Sequence, residues 1–210
     1  MTTVATRQRK KLAPDPTVRI ALVDAAAKVI REQGVRGLSV AGVLSRAGMS
    51  TRAFYRHFDS KDELVTTVFL EMARAETRRL KRKMDAAADP SDGVVAWIDG
   101  RLDLAFNERI RSDLRQISLE AQTQMFAAPE LVGDAYSEIL TPLIDQLERG
   151  MRGGCFSGID PRADALSIHG AVWASVERQW TTGDCDRAAV REQVVRFCMR
   201  GLGVVRESWG

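Results

Sequence analysis

Between residues 51 and 61 the sequence TRAFYRHFDSK gathers side chains suited to giving hydrogen bonds. Thr51 and Tyr55 carry hydroxyls, Arg52 and Arg56 planar guanidinium forks, His57 an imidazole and Lys61 an ammonium. A guanidinium fork matches the two major-groove acceptors of guanine, while hydroxyls and ammoniums suit phosphate oxygens. Catalysis by a nucleophile would instead need a base held beside it. His57 has no such neighbour, and the other histidine, His169, is far away in sequence. The chemistry on offer is recognition.

The frame that must position these groups is the stretch 38–64, LSVAGVLSRAGMSTRAFYRHFDSKDEL. Ser39 suits an N-cap, and Val40, Val43 and Leu44 fall at the spacing of one buried helical face. Gly48 can take the left-handed conformation that stops a helix without Cβ strain. Ser50 or Thr51 can cap the next helix, on which Phe54 and Phe58 point inward and Thr51, Arg52, Tyr55 and Arg56 outward. Ser60 and Glu63 then stand in the S-x-x-E capping pattern. Two helices, a tight turn containing glycine and an exposed basic second helix predict a helix-turn-helix, whose second helix enters the DNA major groove. Thr51, Arg52 and Tyr55 are the candidates for base edges. Ser39 and Ser50, at helix N-termini, either offer hydroxyl and N–H to phosphate or serve as plain caps.

The run GMSTRAFYRHFDSKDEL resembles the recognition helix and following turn of the tetracycline-repressor-like (TetR) family of bacterial transcriptional regulators. The resemblance rests on Gly48, Ser50, Thr51, the pair Phe54-Tyr55, His57-Phe58, and Lys61 with an acidic pair before Leu64. Ala53 departs from the glycine many members carry. The match covers about the first third of the chain. It implies phosphate contacts for Tyr55, His57 and Lys61, so Tyr55 is a candidate for either role.

The 210 residues suit one compact unit or two small ones, and 28% charged with 45% hydrophobic is an ordinary soluble composition. No apolar run approaches the ~20 residues of a membrane span and no signal peptide opens the chain, so no membrane partner and a cytoplasmic location are expected. Cys155, Cys185 and Cys198 are widely spaced with no CxxC, which argues against a disulfide scaffold or structural zinc and leaves a redox-sensing thiol as the minor alternative. No metal and no cofactor are expected. Residues 1–65 hold 12 Lys and Arg against 6 Asp and Glu, whereas the remainder holds 19 against 22. The basic excess therefore sits on the segment with the candidate reader, as phosphate neutralisation requires.

Residues 1–15, with RQRKK at 7–11, read as a flexible basic arm, either solubilising or following the DNA backbone. The helix-turn-helix domain is expected at 16–62, its first helix starting at Asp15-Pro16, lining Ile20, Val23, Ala27 and Ile30 and ending at Gly34. A long helix from 61 to about 88 would run on into a larger helical domain, 63–210, and its charge run at 78–83 reads as a solvated face. Further helices are expected near 91–107, 109–127, 129–151, 161–182 and 186–206, with Pro142 kinking or splitting the third. The loop 150–160, GMRGGCFSGID, lacks the G-K-[ST] ending of a phosphate loop; its layout is similar to a turn many TetR members place before their last two helices. No strand, repeat or low-complexity tract stands out, so the fold class is all-α.

The resemblance implies a cavity for a small effector in the second domain. Trp97, Arg101, Phe106, Met125, Phe126, Leu143 and Trp173 are its candidate lining, and tryptophan with methionine suits an apolar or aromatic ligand. It also implies a homodimer. Ala165, Gly170, Ala174, Val194, Cys198, Gly201 and Leu202 on the last two helices would allow close approach between subunits, or pack within one. Two recognition helices about 34–36 Å apart would read a palindromic double-stranded operator. The expected function is a ligand-responsive regulator, most simply a repressor released from DNA by its effector. An activator or a nucleoid-type binder needs no change in residues 1–65. An all-α enzyme is the rival from another class, and no catalytic signature supports it.

Overall fold

The computed structural model describes residues 15–204, with the backbone alone for residues 108–115. Residues 1–14 of the expected basic arm therefore lie outside what is described. Among the described residues every regular element is helical: α1 (Pro16–Gly37), α2 (Val40–Ala47), α3 (Thr51–Phe54), α4 (Lys61–Met84), α5 (Pro90–Phe106), α6 (Glu108–Ala127), a 3₁₀ turn (Pro129–Leu131), α7 (Gly133–Arg152), α8 (Pro161–Thr182) and α9 (Arg187–Gly201). The chain divides into two compact units, Met1–Leu64 and Val65–Gly210.

In the first unit Asp15 caps α1 by accepting from Thr17 N at 2.9 Å, with Pro16 in the first turn, where its missing N–H costs nothing. Gly34 interrupts the helix at φ 71°, a conformation open to glycine. The buried stripe is Leu22, Ala25, Ala26, Val29 and Ile30; of the expected Ile20, Val23, Ala27 and Ile30, Ile30 is buried and Val23 and Ala27 are half-buried. Ile20 is 61% exposed. The inward face is rotated from the expected one, toward Leu22, Ala25, Ala26 and Val29, and α1 packs against α2. Arg46 on α2 clamps Glu32 on α1 with two bonds of 2.7 and 2.6 Å, and this contact holds the Glu32 carboxyl below its usual range. Leu38, Val43, Phe54, Phe58 and Leu64 complete the buried set.

The second unit is built around α5, which packs against α6, α7, α8 and α9. A helix surrounded on all sides must be apolar all round, and α5 buries Val94, Trp97, Ile98, Leu102 and Leu104. Pro142 neither splits nor ends α7, which is continuous from Gly133 to Arg152. The carbonyl that Pro142 leaves without its helical donor is that of Glu138, and it accepts instead from Thr77 Oγ1 at 2.9 Å. A bond from α4 thus compensates for the proline. The charge run at 78–83 is a solvated face only in part: Arg78, Lys81 and Arg82 are exposed, but Arg79 turns inward and Leu80 is fully buried. In the loop after α7, Phe156 folds back onto Gly150, where any Cβ would overlap its ring.

Candidate nucleic-acid interface and ligand cavity

The reader in the first unit is built from its caps. Ser39 Oγ accepts from Gly42 N at 3.1 Å and Ser50 Oγ from Ala53 N at 3.3 Å, so α2 and α3 both begin on serine caps. Each hydroxyl keeps its own hydrogen to donate, and capping leaves it able to meet a phosphate oxygen. Gly48 ends α2 at φ 65°, ψ 35°, and its N–H bonds Leu44 O. The turn then delivers α3, a single helical turn, with Phe54 and Phe58 buried and their rings 5.8 Å apart. Tyr55 meets the Phe54 ring edge-on at 5.1 Å while remaining exposed, and Arg19 lies 5.1 Å over Phe58.

Among the sequence-derived candidates, Thr51, Arg52, Tyr55, Ser39 and Ser50 are exposed, and His57 and Lys61 are half-buried. His57 Nδ1 is buried with no hydrogen-bond partner among the described residues. The turn into α4 differs from the expected reciprocal cap. Ser60 Oγ accepts from Glu63 N at 3.0 Å, but the Glu63 carboxylate reaches back to Asp59 N, at 2.6 Å, rather than to Ser60.

The second unit contains a largely apolar cavity of about 60 Å³, lined in part by Phe69, Met72, Leu104, Ile117, Ile139 and Trp173. Its polar lining is Glu76, Arg101, Tyr136 and Ser118. Arg101, 5% exposed, donates from Nη1 to Glu76 Oε1 at 3.2 Å. Arg79 grips the same carboxylate with bonds of 2.8 and 2.7 Å. Burial raises and these contacts lower the Glu76 pKa, with a net result below the usual range. Tyr136 donates to Gln122 Oε1 at 2.6 Å, and burial pushes its phenol up to about 12. Asp103 accepts from Arg79, Lys83 and Arg187 and extends the ion-pair network.

Of the seven expected cavity residues the structure brings Arg101 and Trp173 to this space. Trp97 and Leu143 are fully buried in the core, because α5 and α7 turn them toward α8 and its neighbours. Phe106 packs at the edge of that core, Met125 is half-buried and Phe126 is 85% exposed. Sequence reasoning missed Glu76 and Tyr136. The signal for Glu76 was available: Phe69, Ala73, Glu76 and Leu80 share helical spacing, and a lone carboxylate on an apolar stripe must find a partner.

The expected small-residue face divides. Ala165, Val194, Cys198 and Leu202 are buried within this chain's own core, so their smallness serves packing between α8 and α9, whereas Gly170, Ala174 and Gly201 are exposed. Burial pushes the Cys198 thiol up to about 11, far from a reactive thiolate. Beside the exposed small residues stand two apolar side chains not anticipated, Leu166 at 59% and Phe197 at 70% exposure. Among the described residues no cluster of His, Cys, Asp and Glu has the makings of a metal site, and no helix is long and apolar enough to cross a membrane.

Residues 22–68 match the family model described as bacterial regulatory proteins, tetR family. Over 88 residues the chain is 32% identical to the HTH-type transcriptional regulator BetI of Rhizobium meliloti, covering 42% of this chain and 43% of that protein. It therefore spans less than half the length of that relative. The fatty acid metabolism regulator protein of Bacillus subtilis is 22% identical over 189 residues, 86% of this chain and 93% of its own. In fold, the chain is similar to the Bacillus subtilis regulator FadR in complex with stearoyl-CoA, with a TM-score of 0.69, 20% identity, and 87% and 98% of the two chains covered. A Saccharomonospora viridis protein in complex with choline superposes with a TM-score of 0.65 at 18% identity over 89% and 97%. These relatives are regulators, not enzymes. The segment that holds the capped helix-turn-helix, residues 22–68, thus matches the tetR family of bacterial regulatory proteins, and the chain as a whole shares the fold of FadR.

Proposed function

We propose that the protein is a cytoplasmic, ligand-responsive transcriptional regulator, acting as a repressor that binds a palindromic double-stranded operator as a homodimer. The observation that carries this reading is the exposed row of Thr51, Arg52 and Tyr55 on a helix fixed by the Ser50 cap and the buried Phe54 and Phe58. Arg52 reads a guanine, Thr51 and Tyr55 meet neighbouring base edges or phosphates, and Ser39, Ser50, His57 and Lys61 fix the register on the backbone. One short helix buries too little surface for tight specific binding, and pairing two of them supplies it. Leu166 and Phe197, exposed beside Gly170, Ala174 and Gly201, support α8 and α9 as the dimer face.

The cavity lined by Arg101 and Trp173 supports an effector site. Proteins of this fold hold ligands as different as stearoyl-CoA and choline, which supports ligand response as such and leaves the ligand to this chain's own residues. An effector that binds a DNA-incompetent state more tightly shifts the population and releases the operator.

The test is selection of random duplex DNA on the purified protein, then sequencing of what binds. A palindrome with half-sites one helical turn apart is the expected result. Sequence-independent retention would replace the operator reading with a nucleoid-type binder, and no retention at low salt would refute DNA binding altogether.

A further inference from the structure

The wall of the cavity in the second unit is unevenly satisfied. Glu76 accepts from Arg79 and from Arg101, and Arg79 spends its remaining donors on Gly100 O and Asp103. Arg101 has five N–H groups, and among the described residues its hydrogen bond runs from Nη1 to Glu76, while its buried Nε has no hydrogen-bond partner. The indole N–H of Trp173, also buried and also on a cavity residue, has none either. Both unmet groups are donors. Buried donors without acceptors are rare, and each costs desolvation that an acceptor would recover.

Charge points the same way. Two carboxylates, Glu76 and Asp103, are shared by four cations, Arg79, Lys83, Arg101 and Arg187, while Arg191 and Asp99 form a separate pair between α9 and α5. Arg101 is the most deeply buried of the four cations, and among the described residues its paired carboxylate is Glu76, which it shares with Arg79. Apart from Tyr136 and Ser118, the rest of the wall is hydrocarbon and aromatic. Resting on the regulator reading above, we infer that the effector is a small carboxylate with an apolar body, its carboxylate held by Arg101 and Trp173 and its body lying against Phe69, Met72 and Ile139. A carboxylate is an acceptor only, and a guanidinium in a poorly hydrated site is its strongest partner. A cavity of about 60 Å³ admits roughly four to six non-hydrogen atoms at one probe sphere each. Short or branched acids therefore fit as the site stands. A quaternary ammonium would set a second cation beside Arg101 and is excluded.

The probes are 2-methylpropanoate, butanoate and propanoate, with 2-methylpropanamide as the neutral twin of the first and choline as the cation. Thermal unfolding of the full chain and its intrinsic tryptophan fluorescence report binding. Anisotropy of the selected operator duplex reports DNA binding in the same samples. At least one acid is expected to give a saturable rise in Tm and a change in tryptophan emission, with the amide at least tenfold weaker and choline inert. Trp173→Phe, which removes one donor and keeps the ring, is expected to weaken the acid about tenfold. Arg101→Met is expected to abolish acid binding; if it does not fold, Trp173→Phe and the acid–amide comparison in the wild-type protein decide alone. Equal binding of acid and amide, binding of choline, or no response to any acid would overturn the inference while operator binding leaves the regulator reading intact. Acid binding without any DNA retention would uphold the site and refute the regulator.

Discussion

His169 predicts an acid sensitivity that a single substitution should remove. Its ring is buried on α8, stacked 6.4 Å from Trp173 and edge-on to Trp97 at 6.2 Å and Tyr136 at 5.5 Å. Burial first, and the charge of Arg101 second, push its pKa down from the ordinary 6.5 to about 3. The folded protein therefore keeps this imidazole neutral, while the unfolded chain takes up a proton as pH falls through 6.5. Below that value the unfolded state binds more protons, so stability declines with acidification, approaching about 1.4 kcal/mol per pH unit; above it the group contributes no pH dependence. Between pH 7 and pH 5 the loss integrates to about 2 kcal/mol, and it changes little for any folded value below about 4. The assay is urea unfolding of the wild-type protein and His169→Phe across pH 5 to 8 at one protein concentration. Phenylalanine keeps the ring packing and deletes Nδ1, which is buried without a hydrogen-bond partner among the described residues. The wild-type protein should lose about 2 kcal/mol more than the variant between pH 7 and pH 5. Parallel pH profiles would refute the argument, because they would mean that the folded site accepts the proton as readily as water does.

Other predictions are shorter. Arg52→Ala should cost about 1–3 kcal/mol of operator affinity and relax selection at one base position, whereas Lys61→Ala should weaken all sequences alike and reduce the salt slope by about one, both read by anisotropy titration at several salt concentrations. Phe54→Ala removes a fully buried ring under the reader and should destabilise the first unit by about 3–5 kcal/mol in calorimetry, with operator binding lost in parallel. Gly48→Ala meets no atom within 4 Å, so only the left-handed backbone opposes it, and a loss of about 1–2 kcal/mol in the same measurement is expected. A loss near zero there would show that the turn relaxes.

The first unit was legible because its determinants are local. Each cap, the Gly48 turn and the Phe54–Phe58 pair lie within four residues of the groups they fix, so spacing alone places Thr51, Arg52 and Tyr55 on the outside. The second unit depends on contacts between residues far apart in sequence. Pro142 could be read as a helix breaker only while Thr77, 61 residues from the carbonyl it serves, was out of view. The cavity shows the same limit. Apolar character selected Trp97 and Leu143 as lining, but an apolar residue in the sequence carries no mark of whether it faces a cavity or a neighbour, and here both are sealed into the core. A polar residue on an apolar stripe does carry such a mark, since burying it without a partner costs several kcal/mol in the limit. Glu76 on α4 and Arg101 on α5 each interrupt an apolar face, and the structure joins them at 3.2 Å. In a helical domain of this kind the charged residues among the buried positions are therefore better guides to a ligand site than the aromatic ones. Their pairing was fixed by folding, and the donor left over on Arg101 is what remains for chemistry.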